Sequence, residues 1–188
     1  MKAAELFAER GYLGTSMIDV AVACKLSKPA VYHYFQDKDE LLTSIAEGHV
    51  SRLVELVNSV ESDAAVLPQD RLQALITRFL IEYADAQNSH RVLTQDVKYL
   101  PPPARDRILL LERTVVNGFS DAIAVLRPDL KEAELQKSVA MLLFGMLNWM
   151  FTWLRSDGKF THATIAPLVC DLFFRGLTGI QLPVSDAV

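Results

Sequence analysis

Cys24 and Cys170, the only cysteines in 188 residues, are too few and too far apart for a disulfide framework or a metal-ligand spacing. They read as small buried apolar residues in a reducing compartment. Glycine and proline, eight of each, are too sparse for a fibrous or loop-dominated chain. Alternating β-branched runs are missing, which removes strands. No uninterrupted apolar stretch reaches membrane-spanning length, since the most apolar window, Val139 to Leu154, is short and contains Asn148. The start lacks a basic segment followed by an apolar run and a cleavage site, so a cytoplasmic location without a membrane partner is expected. Positive charge is scarce as well. The net charge is −4, and in the first fifty residues Lys2, Arg10, Lys25, Lys28 and Lys38 are outnumbered by acidic side chains. A protein that coats nucleic acid by bulk electrostatics is thereby excluded, and any such contact has to be local and aimed. Catalytic signals are also lacking. His33, His49, His90 and His162 are scattered, and there is no Gly-rich phosphate loop or nucleophile elbow, so no enzyme, cofactor or metal is expected.

What is present is helical periodicity. Apolar residues, 51% of the chain, recur at three-to-four spacing almost throughout, which predicts an all-α protein of about nine helices. Gly11 and Gly14 separate a first helix, Lys2 to Arg10, from a second running from near Ser16 to Cys24. Lys25 and Leu26 make a turn, Ser27 caps a short third helix to Tyr34, and a long fourth runs to about Glu61. After Pro68 come helices to Ala86, from beyond Ser89 to Leu100, from Ala104 to Leu126, from Lys131 to Leu154 and from His162 to Leu177. Pro101 to Pro103, Arg127-Pro128-Asp129 and Ser156-Asp157-Gly158 supply breaks, and the tail is expected to fray. Three very short helices followed by longer ones place a domain boundary inside the fourth, giving domains 1–46 and 47–188.

The chemistry concentrates in the short helices. Ser16 followed by Asp19 is a capping-box spacing, which starts a helix sharply and leaves its first amides pointing outward. Thr15 and Ser16 are therefore candidate phosphate anchors, and a plain helix cap accounts for the same residues. In the segment from Ser27 to Phe35 the serine caps and Pro29 sits in the first turn. Leu26, Val31, Tyr34 and Phe35 are expected to face inward, leaving Lys28, Pro29, Tyr32 and His33 outside. Tyr32 and His33 can donate to phosphates or base edges, while Pro29 and Ala30 permit close approach to a major groove and to thymine methyls. Asp37 and Glu40 open the fourth helix with a second capping box, placing Lys38 either against a phosphate or in solvent as an ordinary charge.

Two short helices joined by a tight turn, the second with an aromatic and basic outer face, make a helix-turn-helix by its parts. The string T-S-M-I-D-V-A-V-A-C-K-L-S-K-P-A-V-Y-H-Y-F-Q-D-K-D-E-L-L, with L-F-A-E-R-G-Y before it, resembles the DNA-binding signature of TetR-type transcriptional regulators over residues 3 to 45. By that resemblance Thr15, Ser16, Lys28, Tyr32, His33 and Lys38 match the positions that usually touch DNA. Lys25 departs from the pattern, standing where the family commonly has Gly. The residues before the first helix are also fewer than the basic arm many members carry.

The resemblance implies an N-terminal three-helix helix-turn-helix domain and a C-terminal helical bundle for ligand binding and dimerisation. The helix from Val139 to Leu154 is apolar around its circumference, as a helix covered on both sides would be. The last helix carries a broad stripe of Ile165, Leu168, Val169, Leu172, Phe173 and Leu177. The two resemble the pair through which TetR-type proteins dimerise, although both could instead pack within one subunit. Phe79, Tyr83, Phe119, Met146, Trp149 and Trp153 are candidate cavity residues for an apolar ligand, and each suits an ordinary core as well. The segment around Trp149 and Trp153, with D-L-F-F-R-G-L, is similar to TetR-type regulators of fatty-acid, steroid or aromatic-acid catabolism, which implies an acyl-coenzyme A thioester as effector. The expected function is a homodimeric repressor on a palindromic double-stranded DNA operator, released by that effector. The rival is a helical sensor or protein-interaction module whose helix-turn-helix no longer binds DNA specifically.

Overall fold

A computed structural model describes residues 2–154 and 158–181. Among them are ten α-helices and no strands. They are α1 (Lys2–Arg10), α2 (Met17–Ala23), α3 (Lys28–Tyr34), α4 (Lys38–Ser62), α5 (Arg71–Asp85), α6 (Gln87–Asp96), α7 (Pro102–Leu126), α8 (Pro128–Glu132), α9 (Gln136–Asn148) and α10 (His162–Gly179). Short 3-10 turns occupy Pro68–Asp70, Val97–Tyr99 and Met150–Thr152. The prolines after Leu100 end one element and begin the next. Pro102 and Pro103 lie in the first turn of α7, where a missing amide costs nothing, and the Ala104 and Arg105 amides donate to the Pro101 carbonyl.

The single helix expected from Lys131 to Leu154 is divided. Glu134 adopts a left-handed backbone (φ 57°), and the Leu135 amide reaches back to the Leu130 carbonyl at 2.8 Å, a Schellman ending that stops α8. After Asn148 the chain tightens into the turn Met150–Thr152, so apolar composition masked two backbone breaks. The break expected at Ser156 and Asp157, and the fraying tail beyond Gln181, lie outside the described residues.

Contacts sort the chain into two compact units, Met1–Glu55 with Asp85–Arg113, and Leu56–Ala84 with Thr114–Val188. The division expected after residue 46 falls within α4. In the first unit α6 packs against α1, joining the N-terminal helices to a segment far along the chain. Phe7, Leu41, Leu42 and Ile108 are fully buried there. So are His49 on α4 and His90 on α6, with Nε2 of the first 3.3 Å from Nδ1 of the second. The Arg52 guanidinium, which can only donate, lies 3.5 Å from His49 Nδ1 and so leaves His49 Nε2–H to donate to His90. In the second unit Leu72, Leu75, Ile76, Phe79 and Leu80 form the buried face of α5. α4 and α7 approach so closely that a Cβ on Gly118 would stand 2.3 Å from Val57 Cγ1.

Burial, assisted by the Arg52 charge, lowers the His49 pKa to about 4, against an ordinary 6.5. Burial also lowers that of His162. An unfolded chain takes up these protons more readily, so the contribution of His49 to stability is complete above pH 6.5 and is lost as the pH falls toward 4. Urea unfolding should therefore show stability falling by up to about 1.4 kcal/mol per pH unit on account of His49 across that window. His49→Asn should flatten the slope, and a wild-type stability that does not change between pH 6.5 and 4.5 would contradict the burial argument.

Candidate nucleic-acid interface

The reading head is assembled from α1, α2, α3 and the start of α4, all in the first unit. After α1 the chain turns at Gly11 (φ 74°), and at Gly14 it passes so near its own preceding turn that a Cβ would meet the Arg10 carbonyl oxygen at 2.4 Å. α2 then starts on the expected capping box. The Asp19 amide donates to Ser16 Oγ at 3.1 Å, and the Ser16 amide donates to Asp19 Oδ2 at 2.8 Å. The Ser16 hydroxyl lies 2.5 Å from the same carboxylate oxygen, and these bonds from Ser16 hold the Asp19 carboxyl below its usual pKa. Asp19 thus supplies the negative charge at this helix start, and Ser16 is exposed but engaged as a cap.

The turn between α2 and α3 is a Schellman motif. Lys25 is left-handed (φ 55°), its amide donates to the Val22 carbonyl at 3.1 Å, and the Leu26 amide returns to Ala21 at 2.9 Å. This is the position where the sequence departs from glycine, and the backbone keeps the glycine conformation with a lysine in it. Ser27 then caps α3, with its Oγ 3.3 Å from the Ala30 amide.

α3 buries Val31 and little else. Lys28, Pro29, Tyr32 and His33 are exposed and Ala30 is half-buried, as the sequence pattern required. Tyr34 departs from it. Expected to face inward, it is 69% exposed, with its ring set edge-on to His33 at 5.5 Å. Leu26 is exposed too, and Phe35 alone shares the inner side with Val31 as a half-buried residue. Tyr34 is the last residue of α3, as expected, and its side chain lies on the outer side of that end. Lys28 lies over the Tyr32 ring at 5.8 Å, one turn away on the same face. Beside α3 an open groove runs along Leu13, Ser16, Ile18 and Asp19 to Tyr32 and Asp37.

Thr15 and Lys38 line the same groove, and the polar atoms of both are engaged within the head. Thr15 is buried and its hydroxyl donates to the Gly11 carbonyl at 3.0 Å. The Lys38 ammonium donates to the Tyr12 and Thr15 carbonyls, both at 2.9 Å, and sits 4.1 Å over the Tyr12 ring. The connection between α1 and α2 leaves those two carbonyls in need of a donor, and Lys38 is the cation within reach. The second capping box is displaced by one residue. The Glu40 amide donates to Asp37 at 2.7 Å, while Glu40 itself accepts from Gln36.

Comparison with known proteins agrees with this arrangement. The family profile "Bacterial regulatory proteins, tetR family" matches residues 2–45, and "Tetracyclin repressor-like, C-terminal domain" matches residues 66–177. The chain belongs to the TetR family. A TetR-family transcriptional regulator from Bordetella parapertussis is similar over 96% of this chain and 94% of its own, at 32% identity and a TM-score of 0.88. The transcriptional repressor KstR2 of Rhodococcus jostii is 28% identical over 181 residues, 93% of this chain and 87% of the repressor. AibR, solved with isovaleryl coenzyme A and operator DNA, aligns over 92% of this chain and 94% of its own, at 27% identity and a TM-score of 0.76.

In this TetR-family chain the six expected cavity residues separate into three groups. Phe79, Tyr83 and Phe119 are buried, and Phe119 is ringed by Phe79 at 4.8 Å and Phe144 at 4.7 Å, both edge-on. Phe144 was not anticipated, although it follows Ala140 by one helical turn on the buried side of α9. The Tyr83 hydroxyl is 3.0 Å from Asn148 Oδ1, which explains an amide in so apolar a helix. Met146 is half-buried. Trp149 and Trp153 are 65% and 55% exposed, and so do not join the aromatic cluster. A pocket lined by Val66, Asp70, Thr77 and Arg78 holds none of the six.

The left-handed Lys25 allows a direct test of the turn. Lys25→Gly should raise stability by up to about 1 kcal/mol in denaturant unfolding, since the steric penalty of a side chain in this conformation is of that size. A loss of stability would mean that the lysine side chain, and not the backbone, holds the turn.

Proposed function

We propose that this chain is a homodimeric transcriptional repressor that reads a palindromic DNA operator with α3 and is released by an apolar acyl-thioester effector. The observation that carries this reading is the outward row Lys28, Tyr32, His33 and Tyr34, a cation and three ring donors projecting from a two-turn helix fixed by a capped start and a Schellman turn behind it. Pro29 and Ala30 keep the leading end slim enough for base edges to approach. Ser16 can add a phosphate contact by rotating its hydroxyl. Thr15 and Lys38, which line the same groove, also hold the head together from within.

Dimerisation is supported by two exposed apolar rows in the second unit. α9 presents Met141 and Leu142 beside the exposed Gly145, with Trp149 just past its end, and α10 presents Leu168 and Leu172 followed by Gly176. Rows of this kind on a water-soluble helix need a cover, and glycine among them permits close backbone approach. A second copy is the cover that DNA reading also requires, because two recognition helices must stand about 34 Å apart to enter successive major grooves. The effector assignment draws on the isovaleryl coenzyme A bound by AibR and on the buried aromatic cluster around Phe119. A sensor module without DNA binding is the second reading, favoured by the engagement of Lys38 with carbonyls of its own chain and the acidic balance of the head.

A gel-shift titration with the DNA upstream of the gene separates the two. The proposal expects binding at least about a hundredfold tighter than to random DNA at matched salt, and a loss of about tenfold on Tyr32→Ala with the oligomer intact. Equal affinity for both DNAs would support the second reading. For the dimer, Leu142→Glu combined with Leu172→Glu should halve the sedimenting mass. A wild-type protein that sediments as a monomer at micromolar concentration would remove the dimer.

A further inference from the structure

The Tyr12 side chain is joined to more partners than a core tyrosine needs. Its hydroxyl donates to the Asp39 carboxylate, and the Lys38 ammonium lies over its ring and on its carbonyl. On the other side, its ring stacks on Tyr99 with centroids 5.6 Å apart and planes 19° apart. Its amide donates to Asp96, a buried carboxylate whose pKa is raised by that burial. Tyr12 stands between α1 and α2, Lys38 and Asp39 begin α4, and Asp96 and Tyr99 close α6 and the turn after it. Four segments of the first unit therefore meet on one residue.

The chemistry of the hub is directional. Asp96 and Tyr99 belong to the segment 85–113, which is the covalent continuation of α5 on one side and of the later turns of α7 on the other. The triple proline that follows Leu100 stiffens the exit from this segment. Toward the head, Tyr12 and Thr15 share the Lys38 ammonium, and Thr15 directly precedes the Ser16 cap of α2. A shift of Asp96 or Tyr99 thus acts on the backbone at the start of α2 through short, directional bonds, where loosely packed side chains would absorb it.

We propose that Tyr12 is a positioning residue for operator recognition, and that Asp96 and Tyr99 set the attitude of the reading head through it. This rests on the DNA-reading function proposed above, and gives that function its route from the rest of the chain. Tyr99 is 40% exposed, so removing its ring opens no large internal void, and Tyr99→Phe keeps the stack.

The test compares wild type, Tyr99→Ala, Tyr99→Phe, Tyr12→Ala and the Tyr12→Ala/Tyr99→Ala double variant, all as full chains with melting temperature monitored. Affinity is measured for the upstream DNA fragment and for random DNA at the same salt. The proposal expects Tyr99→Ala to weaken specific binding about tenfold with random DNA unaffected, Tyr99→Phe to restore it, and the double variant to lose no more than Tyr12→Ala alone. Unchanged specific binding in Tyr99→Ala, or losses that simply add, would overturn it. Hydrogen exchange of the amides from Gly11 to Met17 is the DNA-independent arm, and here Tyr99→Ala should speed exchange about tenfold and Tyr99→Phe should not. If wild type fails to prefer the upstream fragment while this arm gives the expected result, the DNA reading fails and the hub stands as a mechanical link. If exchange is unchanged, the hub fails whatever the DNA shows.

Discussion

The reading head depends on how one cation is satisfied. Lys38 begins α4, and its ammonium closes over the carbonyls of Tyr12 and Thr15 and the face of the Tyr12 ring. Charge-assisted bonds of this kind contribute about 1.5–3 kcal/mol each when their groups are shielded from water. Here they hold three things at once: the end of α1, the start of α2 and the start of α4. α3 gains its own stability from little more than Val31 and a serine cap, so its orientation is inherited from that framework. The helix that would touch DNA is rigid because its neighbours are tied, and its own sequence is free to present polar rings.

This arrangement bears on the acidic balance of the chain. With a net charge of −4, sequence-independent attraction to phosphate is weak, and the head spends one of its few lysines on internal carbonyls. Asp19 occupies the start of α2, where a phosphate would otherwise be welcome, and Asp37 lines the adjoining groove. On the function proposed above, discrimination in such a head would come from base-edge contacts by Tyr32, His33 and Tyr34 and from the fixed separation of two heads. Lys28, set over the Tyr32 ring, is an exposed cation on that face.

The local signals in the sequence were legible because each is closed within a few residues. The Ser16–Asp19 and Ser27 caps, the turn at Lys25 and the exposed row on α3 all follow from short-range stereochemistry. The family signature was equally plain, being a run of such local choices. What escaped was set by partners distant in sequence. The internal bonds of Lys38 and Thr15 have no local signal, because the carbonyls and ring they meet lie elsewhere in the chain, and the exposure of Tyr34 at the end of α3 was not read from its spacing. Trp149 and Trp153 read as cavity aromatics from composition, yet the break after Asn148 turns them outward. The contact of α6 with α1, and with it the Tyr12 hub, has no local signature at all.

The central claim is that two identical heads, each led by α3, enter major grooves on one face of the duplex. Hydroxyl-radical and methylation footprinting of the upstream DNA tests this most directly. The account predicts two symmetric patches of protected guanine N7 atoms in the major groove, separated by about one helical turn or a whole multiple of it. A single patch, protection confined to the minor groove, or uniform protection without symmetry would contradict it.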